Sequence, residues 1–357
     1  MITARINNKI VGGRIVKTGI AVLLTSVFCY LLEWPVMFAV ITAIVTIEPT
    51  ARDSIQKAFI RFPASAIGAA YAVLFTYLLG DQPYTYTIVA LGTLVTCHKL
   101  RLHAGILVAT LTGVAIISTV HDHYTLSFFV RLGTTGIGLI VSSLVNLLVI
   151  HPDYSKGVMD KIKFLSTEAG SYVEMRGKEI ISRQPMHKET KRTFEAMIKN
   201  LNRVETLCNY QKMEWKLYHS SRKSMKIFHY ENKKVAVLRQ LMYHLGILNS
   251  LNFTKILLND VEKQEVMNVI DHILKIIQME DLKGLDSTVT VCKEHLIQIS
   301  WLSPGEAKEP INSDNNWNRR YLFIELACIY DLVKELKKIE KIEKRKMQSY
   351  YSPSQSF

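Results

Sequence analysis

The hydrophobic pattern of this chain changes character near residue 151. Before it, apolar runs cover about Ile15–Leu32, Val36–Ile47, Ala58–Leu79, Tyr84–Cys97, Ala104–Val120 and Leu126–Ile150. Short polar breaks such as Glu33-Trp34-Pro35, Gly80-Asp81-Gln82-Pro83 and His121-Asp122-His123 separate them. Six such runs predict six membrane-spanning helices. Past Pro152 the apolar positions recur at three and four inside charged sequence. That spacing predicts helices over about Tyr154–Ser182, Lys188–Tyr230, Lys234–Leu258, Val261–Glu280, Leu285–Trp301 and Tyr321–Met347. Gln184-Pro185, Gly284 and the polar stretch Ser303–Asn318 punctuate them. No segment alternates with period two. The expected fold class is therefore all-α: an integral membrane six-helix bundle over 1–151, then a soluble cytoplasmic helical bundle over 152–357.

The second run differs from the others. It is entered through Trp34-Pro35 and left through Glu48-Pro49, and Thr50 can cap a helix in which Asp53 takes the third position. Its 12 residues reach only ~18 Å, against ~30 Å of hydrocarbon. Two readings stand. In one, the segment is short and bent, drawing Glu48 and Thr50 to membrane depth, where a carboxylate beside a helix restart suits a solute site. In the other, a plain helix spans Glu33–Thr50 with polar ends.

Small residues recur every fourth position in three of the runs: Ala64, Gly68 and Ala72; Gly105, Ala109 and Gly113; Thr134, Gly138, Ser142 and Asn146. Such rows let helix backbones approach closely in lipid. The third row, with Thr134, Ser142 and Asn146, is also polar enough to line a path.

Charge orients the whole. The net charge is +13, but its distribution says more. Residues 1–150 hold only 10 of the 44 Lys and Arg and 5 of the 31 Asp and Glu. The amino-terminal tail, the 48–61 connection, the 98–103 loop and everything past 151 are basic. The connections near 33–35, 80–83 and 121–125 contain no Lys or Arg. By the positive-inside rule every second loop is cytoplasmic, and both ends of the chain lie inside. The positive excess then faces an anionic inner leaflet, and no nucleic acid is expected as a partner. The first apolar run has no small-residue cleavage site and is followed by further spans, so it reads as a span and not a leader. Five cysteines without a CxxC pair read as reduced and structural.

A search for chemistry returns little. There is no P-loop, GxSxG, HExxH or GxGxxG motif, so no catalytic residue, cofactor or ATP-driven step is expected. His121-Asp122-His123 has only a loop-like spacing, and no metal is expected. Charge at the edge of the lipid is what remains. Arg131 is a fixed cation near the outer end of the sixth run, suited to an anion or to snorkelling. Arg61, before Pro63, is an inner cation or a topology anchor. Glu48 is the one acidic group placed for burial, where desolvation would favour its neutral form.

The segment Trp34-Pro35, Phe38-Ala39-Val40-Ile41-Thr42-Ala43-Ile44-Val45 and Glu48-Pro49-Thr50-Ala51-Arg52-Asp53-Ser54 resembles the signature of the aromatic acid exporter family. That family is similar to the fusaric-acid-resistance exporters and the aluminium-activated malate transporters. The likeness is to its bacterial branch, which pairs six spans with a cytoplasmic helical domain. It implies export of aromatic or other carboxylates, a place in the inner membrane, a homodimer, and a functional element around Pro49-Thr50-Ala51-Arg52. A Glu stands before that proline, where Gln is as readily expected. The combined expectation is a secondary transporter or channel-like exporter of organic anions. Its substrate would meet Thr46, Glu48, Pro49, Thr50, Arg52, Arg61, Arg131 and Asn146. The alternative is a membrane-anchored interaction or regulatory protein acting through its soluble helices.

Overall fold

The computed structural model describes residues 12–118, 124–149, 153–217, 222–251, 256, 258–278 and 313–351. The described residues form helices and connections without a strand. The chain divides into two compact units. The first is Met1–Asp153 together with Lys212–His219, and the second is Tyr154–Gln211 with Ser220–Phe357.

Six helices make up most of the first unit: α1 (Gly13–Leu31), α2 (Val36–Thr46), α3 (Ala51–Leu79), α4 (Pro83–Lys99), α5 (Ile106–Ile117, after a 3₁₀ turn at His103–Gly105) and α6 (Tyr124–Leu148). By length and composition α1, α3 and α6 are able to cross a membrane, and α2 is a shorter apolar helix. The interior is inverted relative to a water-soluble core. Along α1 the buried stripe is Lys17, Ala21, Thr25 and Cys29, at spacing four, while Leu23, Val27 and Phe28 face outward. Phe59, Leu107, Phe129 and Ile140 are likewise exposed. Large apolar side chains outside and small or hydroxylated ones inside suit a hydrocarbon solvent, which gives helices no drive to bury leucine.

The small-residue rows set the helix contacts. A Cβ placed on Gly68 would overlap the Ala109 carbonyl, and one on Gly105 would overlap Ala64, so the rows of α3 and α5 lie face to face. Gly138 does the same for α6 and α2, packing against the Ala39 carbonyl and Thr42. The polar row of α6 is thus a packing seam: Thr134, Ser142 and Asn146 are all buried.

The break between α1 and α2 follows from local chemistry. Glu33 takes a left-handed conformation (φ 57°), and the Trp34 and Glu33 amides donate to the carbonyls of Cys29 (2.9 Å) and Tyr30 (3.1 Å). That is a Schellman closure, after which Pro35 starts the next helix. At the far end of α2 the plain spanning helix is ruled out. Helix stops at Thr46, Ile47 is extended, and a new helix begins at Ala51. The side chain of Thr50 caps it, accepting from the Asp53 amide (3.1 Å). The third run therefore starts earlier than its apolar residues indicate: α3 has 29 residues, ~43 Å of helix.

The second unit consists of α7 (Ser155–Ile181), most of α8 (Lys188–Trp215), α9 (Arg222–Ser250), α10 (Asp260–Gln278) and α11 (Ser313–Tyr351). Its core is built from large apolar side chains, among them Ile162, Leu165, Tyr172, Leu238, Leu241, Leu245 and Phe323. Two expectations are corrected. Lys188–Tyr230 is not one helix, because α8 ends at Trp215; and Lys234–Leu258 is not separate, because α9 runs unbroken from Arg222. The gap left between those two expected helices, residues 231–233, is internal to α9. Asn232 donates to the Phe228 carbonyl of its own helix (3.0 Å), and Lys234 is buried between Glu231 and Glu343, at 2.8 Å from each. The last helix also begins at Ser313, ahead of Tyr321. The expected helix Leu285–Trp301 and the His121-Asp122-His123 loop lie outside the described residues. Cys29, Cys97, Cys208 and Cys328 are free thiols.

Candidate functional site

The interruption between α2 and α3 leaves buried backbone polar groups outside any helix ladder, and neighbouring side chains supply the partners. Asn146, near the end of α6, is the centre. Its side-chain amide lies 3.1 Å from the Glu48 carbonyl, 3.1 Å from the Thr50 carbonyl and 2.7 Å from the Ser54 hydroxyl. Ser54 donates to the Thr46 carbonyl (2.9 Å) and accepts from the Glu48 amide (3.0 Å). Lys17 of α1 then donates to the side-chain oxygen of Asn146 (2.8 Å) and to its carbonyl (3.2 Å).

Charge is balanced alongside. The Glu48 carboxylate takes Arg61 at 2.8 Å and Lys57 at 3.1 Å. Arg61 also donates to the carbonyls of Val45 and Ala104, both at 3.2 Å, so all three of its nitrogens are engaged. It joins the end of α2 to the turn before α5. With two cations beside it, Glu48 is held as a carboxylate and is not the isolated acid that proton coupling needs. The first amide of α3, Ala51 N–H, donates to the side-chain carboxylate of Glu214 (2.8 Å), a residue of the Lys212–His219 segment.

A second polar cluster lies further along α6. Arg131 and Asn146 are 15 residues apart on that helix, about 22 Å at helical rise. Arg131 is only 6% exposed, so the snorkelling reading does not hold. Its guanidinium lies over the Phe38 ring, 3.5 Å from the centroid, and Nη2 donates to the Thr112 hydroxyl (3.2 Å). Ser65 also donates to Thr112 (3.2 Å), and its hydroxyl is 3.3 Å from that of Thr135. Among the described residues, Nε and Nη1 of Arg131 have no hydrogen-bond partner and no carboxylate pairs with it. A buried guanidinium in that state is expensive, since the interior gives it little in exchange for water.

Sequence comparison places this geometry in a family. Residues 9–149 match the model of aromatic acid exporter family member 1. The chain is 37% identical over 342 residues to a UPF0421 protein of Bacillus cereus, covering 94% of this chain and 95% of that one. It is 38% identical over 332 residues to a UPF0421 protein of Oceanobacillus iheyensis, covering 92% and 94%. A Staphylococcus aureus UPF0421 protein is 36% identical over 282 residues, covering 78% and 86%. The chain belongs to the aromatic acid exporter family. It is a membrane protein of an exporter-type transporter family.

In this exporter-family chain Thr46, Glu48, Thr50, Arg61 and Asn146 meet around the α2–α3 turn. Pro49 is half-buried within the same turn. Arg52 is half-buried at the start of α3 and makes no ion pair among the described residues. Arg131 stands apart, in the second cluster. Sequence reasoning missed Lys17, Ser54, Glu214 and the group Phe38, Ser65, Thr112 and Thr135. Lys17 carried a signal, since it continues the spacing-four row of Ala21, Thr25 and Cys29. Glu214 carried none: one acid among many on a charged helix gives no sign that it is buried. Among the described residues, no group of three His, Cys, Asp or Glu is placed to hold a metal ion.

Proposed function

We propose that this protein exports an organic anion, an aromatic carboxylate, across the cytoplasmic membrane, with Arg131 as the cation that receives it. One observation carries the reading. A guanidinium inside the helix bundle keeps two nitrogens without a protein partner among the described residues, and its stacking neighbour is an aromatic ring. A planar carboxylate is the natural mate of that fork, and the face of Phe38 suits an aryl group beside it. The hydroxyls of Ser65, Thr112 and Thr135 add donors around the same point. The knot of Thr46, Glu48, Pro49, Thr50, Arg61 and Asn146, with Arg52 beside it, forms the other end of the path. The basic loops argue for both termini in the cytoplasm, residues 1–151 as the membrane domain and 152–357 as the cytoplasmic helical domain. A six-helix unit of this kind is expected to work as a homodimer.

The deciding experiment is efflux of benzoate from vesicles carrying the full chain, with Arg131→Gln as the comparison. Loss of efflux with normal protein levels supports the reading. Equal efflux from both refutes the role of Arg131, and no efflux from either is the outcome expected of a membrane-anchored regulatory protein. A growth screen of a deletion strain against aromatic and aliphatic carboxylic acids identifies the solute.

A further inference from the structure

We infer that Glu214 is a self-supplied carboxylate that latches the α2–α3 turn shut, and that transport requires its withdrawal. Ala51 is the first residue of α3, so its amide has no partner within the helix, and the helix dipole makes that end attractive to anions. Thr50 caps only the Asp53 amide. The Ala51 amide is completed instead by the Glu214 carboxylate at 2.8 Å, from a residue 163 positions away. Both partners are almost fully buried, Ala51 at 1% and Glu214 at 3% exposure. Lys17 lies within electrostatic reach of the same carboxylate, and it is the lysine that holds Asn146. The Thr50 hydroxyl also contacts Met213, the residue before Glu214.

Local structure does not require an acid here. Glu214 sits one residue from the end of α8, and the following turn is closed by its backbone carbonyl, which accepts from Leu217 N–H (3.0 Å). Any residue would close that turn. Burying a carboxylate gains little stability over an apolar side chain, so switching is the better-attested use of such a group. What it occupies is a helix-end amide with a lysine beside it, which is the chemistry that binds a free organic carboxylate. Withdrawal of Glu214 therefore frees the break in the helix and uncovers donors for the anion that Arg131 receives. The flux part of this inference rests on the proposed anion export; the latch itself does not.

The test uses the full chain in liposomes with benzoate. Glu214→Ala is expected to raise the initial efflux rate by about threefold or more. Glu214→Gln, which keeps the acceptor oxygen but not the charge, gives a smaller rise and guards against a misfolded alanine variant. A second readout needs no substrate: Ala51→Cys is labelled with a membrane-impermeant maleimide, the parent chain serving as the blank. The introduced thiol should react about tenfold faster when Glu214→Gln is added. Unchanged or lower efflux in both Glu214 variants, where the parent carries benzoate, reduces Glu214 to a helix cap and overturns the latch. If the parent carries no benzoate, the substrate reading fails alone, and the labelling decides: faster labelling upholds the latch, an equal rate overturns it.

Discussion

Two polar clusters sit about 22 Å apart on α6, and they are opposites. Around Asn146 nearly every donor meets an acceptor: Lys17, Ser54, Arg61, Glu48 and Glu214 close on one another and on the backbone of the α2–α3 turn. Around Arg131 a full charge is buried with hydroxyls and a ring and no counter-ion among the described residues. The first arrangement explains how a broken helix persists in a lipid-facing bundle. The second has no such explanation among the described residues, and our proposal is that an anion completes it. The satisfied network holds the broken helix together, whereas an unsatisfied buried group requires a separate explanation.

The comparison can be broken most sharply at Arg131. Arg131→Gln should lower benzoate efflux by about 100-fold or more, because the charge-assisted fork is lost, while thermal stability stays level or rises. A stability loss equal to that of the Asn146 variants would erase the distinction. Next, Asn146→Ala should lower unfolding stability by on the order of 3 kcal/mol, since it strands Lys17 and two carbonyls together. A melting temperature within a degree of the parent's would show the knot to be dispensable. Glu48→Gln comes third, at about 2 kcal/mol, because buried Arg61 loses its anion but keeps two carbonyls. Lys57→Ala is the smallest of the four: its side chain is 35% exposed, and the pair should be worth less than about 0.5 kcal/mol.

A third buried cluster sharpens the contrast through pH. In the second unit, Glu231 and Glu343 share one lysine, Lys234. Burial pushes the Glu231 carboxyl up to about 7 against the pull of Lys234, with Glu343 adding to the rise. The folded state thus holds a proton that the unfolded chain releases near its ordinary value of 4.5. The resulting stability is full below pH 4.5 and is lost as pH rises through about 7. Melting of the helical unit followed from pH 5 to 8 should show a fall of on the order of 1–3 kcal/mol that Glu231→Gln flattens.

The sequence by itself determined the all-α class and the six helices of the first unit. It also located the stop after α1, because Glu33-Trp34-Pro35 closes a helix by short-range geometry. The Thr50 cap was legible for the same reason. Apolar runs, spacing-four rows and prolines act within a turn or two of the chain, so they can be read from it. The same short-range reading failed between Tyr230 and Lys234, where the expected gap falls inside α9 and the polar groups are satisfied from that helix and from a distant glutamate. Tertiary structure alone decided which charges are paired. Glu48 and Arg61 neutralise each other, Glu214 arrives from 163 residues away, and Arg131 is left without an anion among the described residues. A charge's role depends on what stands within about 4 Å of it in space, and in a helical bundle those neighbours come from remote parts of the chain.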